Sequence, residues 1–103
     1  MKRINLIYEG VIVKRIYVGN LDYGVTENSV RELFSQYGKV DSVAFVKDKD
    51  SGRFRGFCFI NMEDEDSVKA IEKLNKTSFA GRIIEVMPAN LKKRRKKNNS
   101  TIL

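Results

Sequence analysis

RGFCFINM, residues 55–62, is a run of aromatic and aliphatic residues between a charged turn and an acidic cluster. Aromatic residues filling a short segment flanked by turn-formers indicate a β-strand. Side chains alternate along a strand, so Arg55, Phe57, Phe59 and Asn61 share one face. Gly56, Cys58, Ile60 and Met62 share the other. A half-buried strand needs only one apolar face, and here both carry apolar groups. One face belongs to a core. The other holds two phenylalanines between an arginine and an asparagine, and needs a different explanation.

Working outward from this strand, DKDSGR (48–53) reads as a charged turn with Gly52 at its tip. Before it, VDSVAFVK (40–47) reads as a second strand. Further upstream Thr26 is a good N-cap and Glu27 suits a helix start. Val30, Leu33, Phe34 and Tyr37 follow at helical spacing, and Gly38 ends the helix. RIYVGN (15–20) is the first strand, joined to that helix by a loop. Downstream, EDED (63–66) precedes Val68, Ala70, Ile71 and Leu74 at helical spacing. Acids there complement the helix dipole, and no calcium-loop spacing accompanies them. SFAGR (78–82) reads as a connection and IIEVM (83–87) as a last strand, stopped by Pro88. The order is βαββαβ. It predicts an α+β, ferredoxin-like sandwich, with two helices on one face of a four-stranded antiparallel sheet. The opposite sheet face is left bare.

The 103 residues suit one domain, with 42% hydrophobic and 32% charged residues. There is no histidine and one cysteine, Cys58. Internal disulfides, zinc sites, iron–sulfur clusters and histidine-based catalysis are therefore not expected. The segment MKRINLIYEGVIVKR begins basic and then turns apolar, like a leader. Asn5, Glu9 and Gly10 interrupt it and no small-residue cleavage site follows, so it is read as an extension, strand-like in pattern, that is either an extra edge strand or a mobile segment. No stretch reaches the ~20 apolar residues of a membrane helix, and no membrane partner is expected.

The net charge of +7 is unevenly placed. From Arg15 to Asn90, 11 Lys and Arg face 12 Asp and Glu, whereas KKRRKK (92–97) holds six consecutive cations. This divides the chain into an extension (1–14), a folded domain (15–90) and a basic tail (91–103) with nothing to pack from Lys92 onward. Such a run acts as a solubilising tail, as an arm for phosphate backbones, or as a nuclear import signal in a eukaryote.

The element order and two short segments resemble the RNA recognition motif. That family's longer signature is basic, Gly, aromatic, Gly or Ala, aromatic, aliphatic, any residue, aromatic. Arg55 to Met62 follows it at six of eight places, and Ile16-Tyr17-Val18-Gly19-Asn20-Leu21 matches the shorter signature throughout. Single-domain bacterial members are the most similar kind. The resemblance implies that the first and third strands lie side by side at the sheet centre. It implies Tyr17 and Phe57 as base-stacking rings, Phe59 as a ring near a sugar, and Arg55 as a phosphate partner. Arg15 falls on the face of Tyr17, and Asn61 offers an amide on the face of Phe57. Lys47, Lys49, Arg53 and the tail add positive charge, and Asn90 lies in the segment after the last strand, where base edges are read. Single-stranded RNA is the expected partner, with single-stranded DNA as a second ligand of the same chemistry. No cofactor, a monomer, and a cytoplasmic place (nuclear in a eukaryote) complete the expectation.

The departures from the signature are Cys58 and Met62, and alternation sends both to the core. Phe34, Phe45, Phe79, Tyr23 and Tyr37 are read as packing residues, as is Phe54. Glu85 falls on the bare face beside Met87 if Ile84 and Val86 point inward, and a carboxylate there repels phosphate. Two other functions compete. The same fold can dock a protein partner, usually where the sheet aromatics are missing. An acylphosphatase-like hydrolase shares the scaffold but needs a loop-borne arginine, which GNLDYG (19–24) lacks.

Overall fold

Thr26 starts the first helix with a reciprocal pair of bonds. Its hydroxyl accepts from the Ser29 backbone N–H at 3.0 Å, and the Ser29 hydroxyl accepts from the Thr26 N–H at 3.1 Å. This capping box satisfies two backbone donors that the first turn would otherwise leave open. The helix, α1 (Glu27–Ser35), buries Val30 and Phe34 against a sheet. The computed structural model describes residues 11–89 and 91–93. Its strands in chain order are β1 (Val11–Val13), β2 (Arg15–Gly19), β3 (Val40–Lys47), β4 (Phe54–Met62), β5 (Ser78–Phe79), β6 (Arg82–Ile83), β7 (Glu85–Pro88) and β8 (Leu91–Lys93). The second helix, α2 (Asp64–Leu74), lies between β4 and β5.

Four strands form the main sheet in the order β3-β4-β2-β7, every neighbouring pair antiparallel. The two signature strands are therefore adjacent at its centre, with Tyr17 directly opposite Phe59 and Ile16 opposite Ile60. Ile16, Val18, Cys58, Ile60, Met62, Ile84 and Val86 point to the helices and are fully buried or nearly so. They meet Val30, Phe34, Ala70, Ile71 and Leu74 from α1 and α2 in one core. This is the expected α+β sandwich, covered by helices on one face. Cys58 and Met62 lie in the core, as alternation requires.

The acids at the start of α2 complement its dipole but do not cap it as a hydrogen-bonding box does. Glu63 stands at the N-cap and makes no side-chain cap bond, while Asp64, Glu65 and Asp66 fill the first turn. Asp64 instead reaches the chain's first described strand, accepting from the Val13 N–H at 2.7 Å. SFAGR, read as a plain connection, folds as a small β5–β6 hairpin in which Ser78 faces Ile83.

A further strand pair, β1 with β8, lies beyond the expected domain limits. Ile16 faces Pro88, and three residues further along each strand Val13 faces Leu91, then Val11 faces Lys93. Between them the Ala89 N–H donates to the Arg15 carbonyl at 2.8 Å. Beyond that bond β1 and β8 form a two-stranded antiparallel ribbon of their own. β7 ends at Pro88, where the last strand is expected to stop. The Val86 N–H points outward to the Asn75 Oδ1 at 2.8 Å, and Pro88, two residues on, takes the same outward position on an edge strand. Lys92 was expected to begin a tail with no packing, but Lys92 and Lys93 pair through their backbones with Ile12 and Val11. Composition around Lys92 gives no sign of this, because the partner strand lies at the other end of the chain. Residues 1–10 of the extension, Asn90, and residues 94–103 of the tail lie outside the described residues.

Candidate nucleic-acid interface

The face of the sheet without helices carries three rings. Tyr17 on β2 and Phe57 and Phe59 on β4 are half-buried, with Arg55 and Asn61 exposed at either end of the same β4 face. Their separations are 5.6 Å for Tyr17–Phe57, 6.0 Å for Tyr17–Phe59 and 6.1 Å for Phe57–Phe59. They form one cluster because antiparallel register sets β2 and β4 side by side and alternation turns every second side chain outward. The register draws a row across all four strands: Ala44, Phe59, Tyr17 and Met87.

Glycine 19 sets how Tyr17 lies. A methyl group built on Gly19 would come within 2.6 Å of the Tyr17 Cζ and 2.7 Å of Cε2. The ring rests on the glycine backbone, with no side chain beneath to prop it up. Met87 and Glu85 flank this position from β7, opposite Tyr17 and Gly19 respectively. Ile84 and Val86 are buried, so the condition that places Glu85 on the bare face is met.

Two guanidinium groups attend the rings. The Arg15 Cζ lies 4.6 Å from the centre of the Phe59 ring, and the Arg55 Cζ lies 5.7 Å from that of Phe57. Arginine over a ring is held by about 0.5–1 kcal/mol at exposed sites. Stacking a base on an aromatic ring contributes about 1–3 kcal/mol. The guanidinium contact is thus weaker than a base stacked on the same ring would be. The Asn61 amide nitrogen donates to the Ser42 hydroxyl at 2.7 Å.

The other expected cations sit apart from this cluster. Lys47 stands across from Phe54 at the end of the sheet, and Arg53 is exposed in the turn before β4. That turn is organised by Asp48, whose carboxylate accepts from the Ser51 N–H at 2.8 Å and the Asp50 N–H at 3.2 Å. The bonds from Ser51 hold the Asp48 carboxyl below its ordinary pKa. Asn90 lies outside the described residues.

Phe54 packs on the helix side, stacked on Phe45 with centroids 4.3 Å apart. Phe34 is buried, and Phe45, Phe79 and Tyr37 pack against the core. Tyr23 departs from its expected packing role: it is 74% exposed and touches Phe54 only edge-on, at 6.2 Å. The Tyr23 ring lies beside Gly56, whose φ of 90° suits glycine and whose missing side chain leaves room for the ring. Tyr23 borders a cavity of about 410 Å³ with Tyr17, Arg55, Phe57 and Arg82. Arg82 was not singled out from the sequence. Two bonds fix it there, from Nη2 to the Asn20 Oδ1 at 2.6 Å and from Nε to the Asn20 carbonyl at 3.2 Å. Its only sequence signal is its place after Gly81, and its partner is 62 residues away.

A helix-backed sheet whose bare face carries clustered rings and flanking arginines is the arrangement of a nucleic-acid-binding domain. The family model of the RNA recognition motif matches residues 16–85, and the chain belongs to that family. Among its relatives is RbpF of Nostoc sp., 41% identical over 81 residues, which are 78% of this chain and 77% of that protein. The 29 kDa ribonucleoprotein A, chloroplastic, of Nicotiana sylvestris is 46% identical over 76 residues, 73% of this chain. This chain matches only 28% of the length of that ribonucleoprotein. In structure it is similar to the crystal structure of the RNA-binding protein PG1, with a TM-score of 0.71 and 45% identity. That likeness covers 74% of this chain and 93% of that one.

Proposed function

We propose that this protein binds single-stranded RNA by laying bases on the rings of its bare sheet face, and that it acts after transcription as a binder without catalysis. The observation that carries this reading is the cluster of Tyr17, Phe57 and Phe59, half-exposed within about 6 Å of one another on a face that neither described helix covers. Three rings gathered in contact with water are not needed by the core, which the opposite faces of the same strands already fill. Bases have the flat apolar faces that match them. The family, and the RNA-binding protein PG1 in particular, support the same reading.

The division of labour among the rings is the one the family signature implies. Tyr17 and Phe57, whose centroids are 5.6 Å apart, take neighbouring bases. Phe59, with the Arg15 guanidinium 4.6 Å from its centre, lies next to a sugar. Arg15, Arg55 and Asn61 contribute phosphate and base-edge contacts, and Lys47 and Arg53 add charge at the β3–β4 end. The basic tail adds attraction for the backbone. Single-stranded DNA is a weaker ligand of the same face. The protein works as a monomer, and the Nostoc relative supports a cytoplasmic place.

The test is equilibrium binding of the full chain to pooled single-stranded RNA, with Tyr17, Phe57 and Phe59 each changed to Ala. Each loss of a stacking ring lowers affinity by about 1–3 kcal/mol. Unchanged affinity in all three variants sinks the stacking model. For the tail, residues 94–97 are removed so that β8 stays whole. At ~0.7 per neutralised phosphate, losing four cations flattens the log–log salt slope by up to about three. An unchanged slope makes the tail a solubiliser only.

A further inference from the structure

Glu85 is an acid on a face otherwise suited to a polyanion. It lies opposite Gly19 in the β2–β7 register, and the ring of Tyr17 rests on Gly19. The carboxylate therefore flanks the stacking ring rather than the phosphate-binding arginines. Together with Tyr17, Phe59, Met87, Pro88 and Ala89 it lines an open cavity of about 440 Å³. Two flanks of that cavity are largely apolar, with two rings on one and Met87, Pro88 and Ala89 on the other. Glu85 is its one charged wall.

The simplest alternative is that Glu85 serves to hold Lys76. The two are 3.9 Å apart, with side chains 68% exposed for Lys76 and 47% for Glu85. An ion pair that long and that open contributes little. Lys76 is the only partner of the Glu85 side chain recorded among the described residues. Its carboxylate oxygens are thus available to a ligand, and they are acceptors only.

We infer that Glu85 selects guanine for the base that stacks on Tyr17, an inference that rests on the RNA-binding reading above. A carboxylate in this position repels phosphate and accepts only from donors, and of the donors RNA offers, base-edge N–H groups and the ribose 2′-OH, only the first distinguish one base from another. Guanine is the one base that presents two adjacent donors on its Watson–Crick edge, N1–H and the N2 amino group. These match the two oxygens of a carboxylate in parallel, the geometry that makes paired charge-assisted bonds strong. Cytosine and adenine offer one amino group beside a ring nitrogen that is itself an acceptor. Uracil offers one N–H between two carbonyl oxygens, both of which the carboxylate repels. The order of preference at this position is therefore guanine first and uracil last. Lys76, released from Glu85, is left beside the cavity to meet the phosphate of the same nucleotide.

The experiment uses the full chain and oligouridine probes carrying one central guanosine, inosine, adenosine or cytidine, beside oligouridine itself. The guanosine probe is expected to bind about tenfold or more tighter than oligouridine, as for a bidentate base contact. Inosine keeps N1–H and lacks the amino group, so it falls between the two. In Glu85→Gln the guanosine advantage over oligouridine collapses toward unity, while oligouridine binding is kept or improved. Equal affinities of the native protein for guanosine, inosine and uridine probes overturn the inference and leave RNA binding intact. A guanosine preference that survives Glu85→Gln overturns it equally. Failure to bind any probe removes the RNA-binding reading itself, and the inference with it.

Discussion

The ring of Tyr17 lies on Gly19 so closely that a methyl group there would come within 2.6 Å of the ring's Cζ. Glycine at 19 is thus a condition for a flat platform, not a loose joint in a strand. Gly19→Ala lifts or turns the ring. The expected outcome is a loss of single-stranded RNA affinity comparable to that of Tyr17→Ala, about 1–3 kcal/mol. Because both changes act through one ring, the double variant loses little more than either single one. Fluorescence anisotropy on the four proteins measures this, and additive losses would show that Gly19 acts elsewhere.

Val13 ties the chain's beginning to its core. It is fully buried, and its N–H donates to Asp64 at the start of α2. Val13→Ala removes two buried methyl groups and leaves a small cavity, a cost of about 2 kcal/mol. Truncation before Lys14 costs more, since it also removes the bond to Asp64 and the partner of β8. Urea unfolding of the full chain and both variants checks this order. An unchanged midpoint for the truncated chain would mean that the ribbon adds no stability.

Cys58 is fully buried, and burial, aided by the charge of Glu27, pushes its thiol up to about 12 from an ordinary 9.0. The thiolate is the nucleophile, and the folded protein keeps Cys58 neutral and buried, so it resists alkylation at neutral pH and labels only as it opens. The linkage has a definite sign. Below pH 9 the thiol is protonated in both folded and unfolded chains and adds no pH dependence. As pH rises from about 9 toward 12, only the unfolded chain loses the proton, and stability falls across that window. Cys58→Ala removes this part of the alkaline slope. A native protein that alkylates as fast as a free thiol would contradict the burial.

Asp48 organises the β3–β4 turn through bonds to the backbone of Asp50 and Ser51. Its carboxyl is held below the ordinary value of 3.8, so the folded turn favours the ionised form. The contribution is present above that value and fades as pH falls through the lowered one. Asp48→Ala is expected to speed amide exchange at Ser51 at neutral pH, with the sheet amides unaffected. Native exchange rates at Ser51 in the variant would remove Asp48 from this role.

Much of this protein is legible one residue at a time. Alternation in RGFCFINM separates Cys58, Ile60 and Met62 from Phe57 and Phe59, and the structure buries the first set and leaves the second half-exposed. Strand β3 runs over the residues read from the sequence, and Thr26 caps α1. These follow from local forces: steric alternation along a strand, and donors left open at a helix start. Tyr23 shows where such reading stops. An aromatic residue in a loop reads as packing, yet Gly56, 33 positions away in the chain, sets the surface on which it lies.

The sequence by itself determined the order of elements, the two faces of each central strand and the identity of the rings. Only the tertiary structure decided which of those residues became neighbours. Tyr17 meets Phe59 and Met87, Glu85 stands across from Gly19, Arg82 reaches Asn20, and Val11–Val13 finds Leu91–Lys93. Each of these pairings closes a loop of tens of residues. Side-chain alternation and capping act within a few residues and are written in local sequence. Register and long-range partners emerge only when the whole sheet closes over one core.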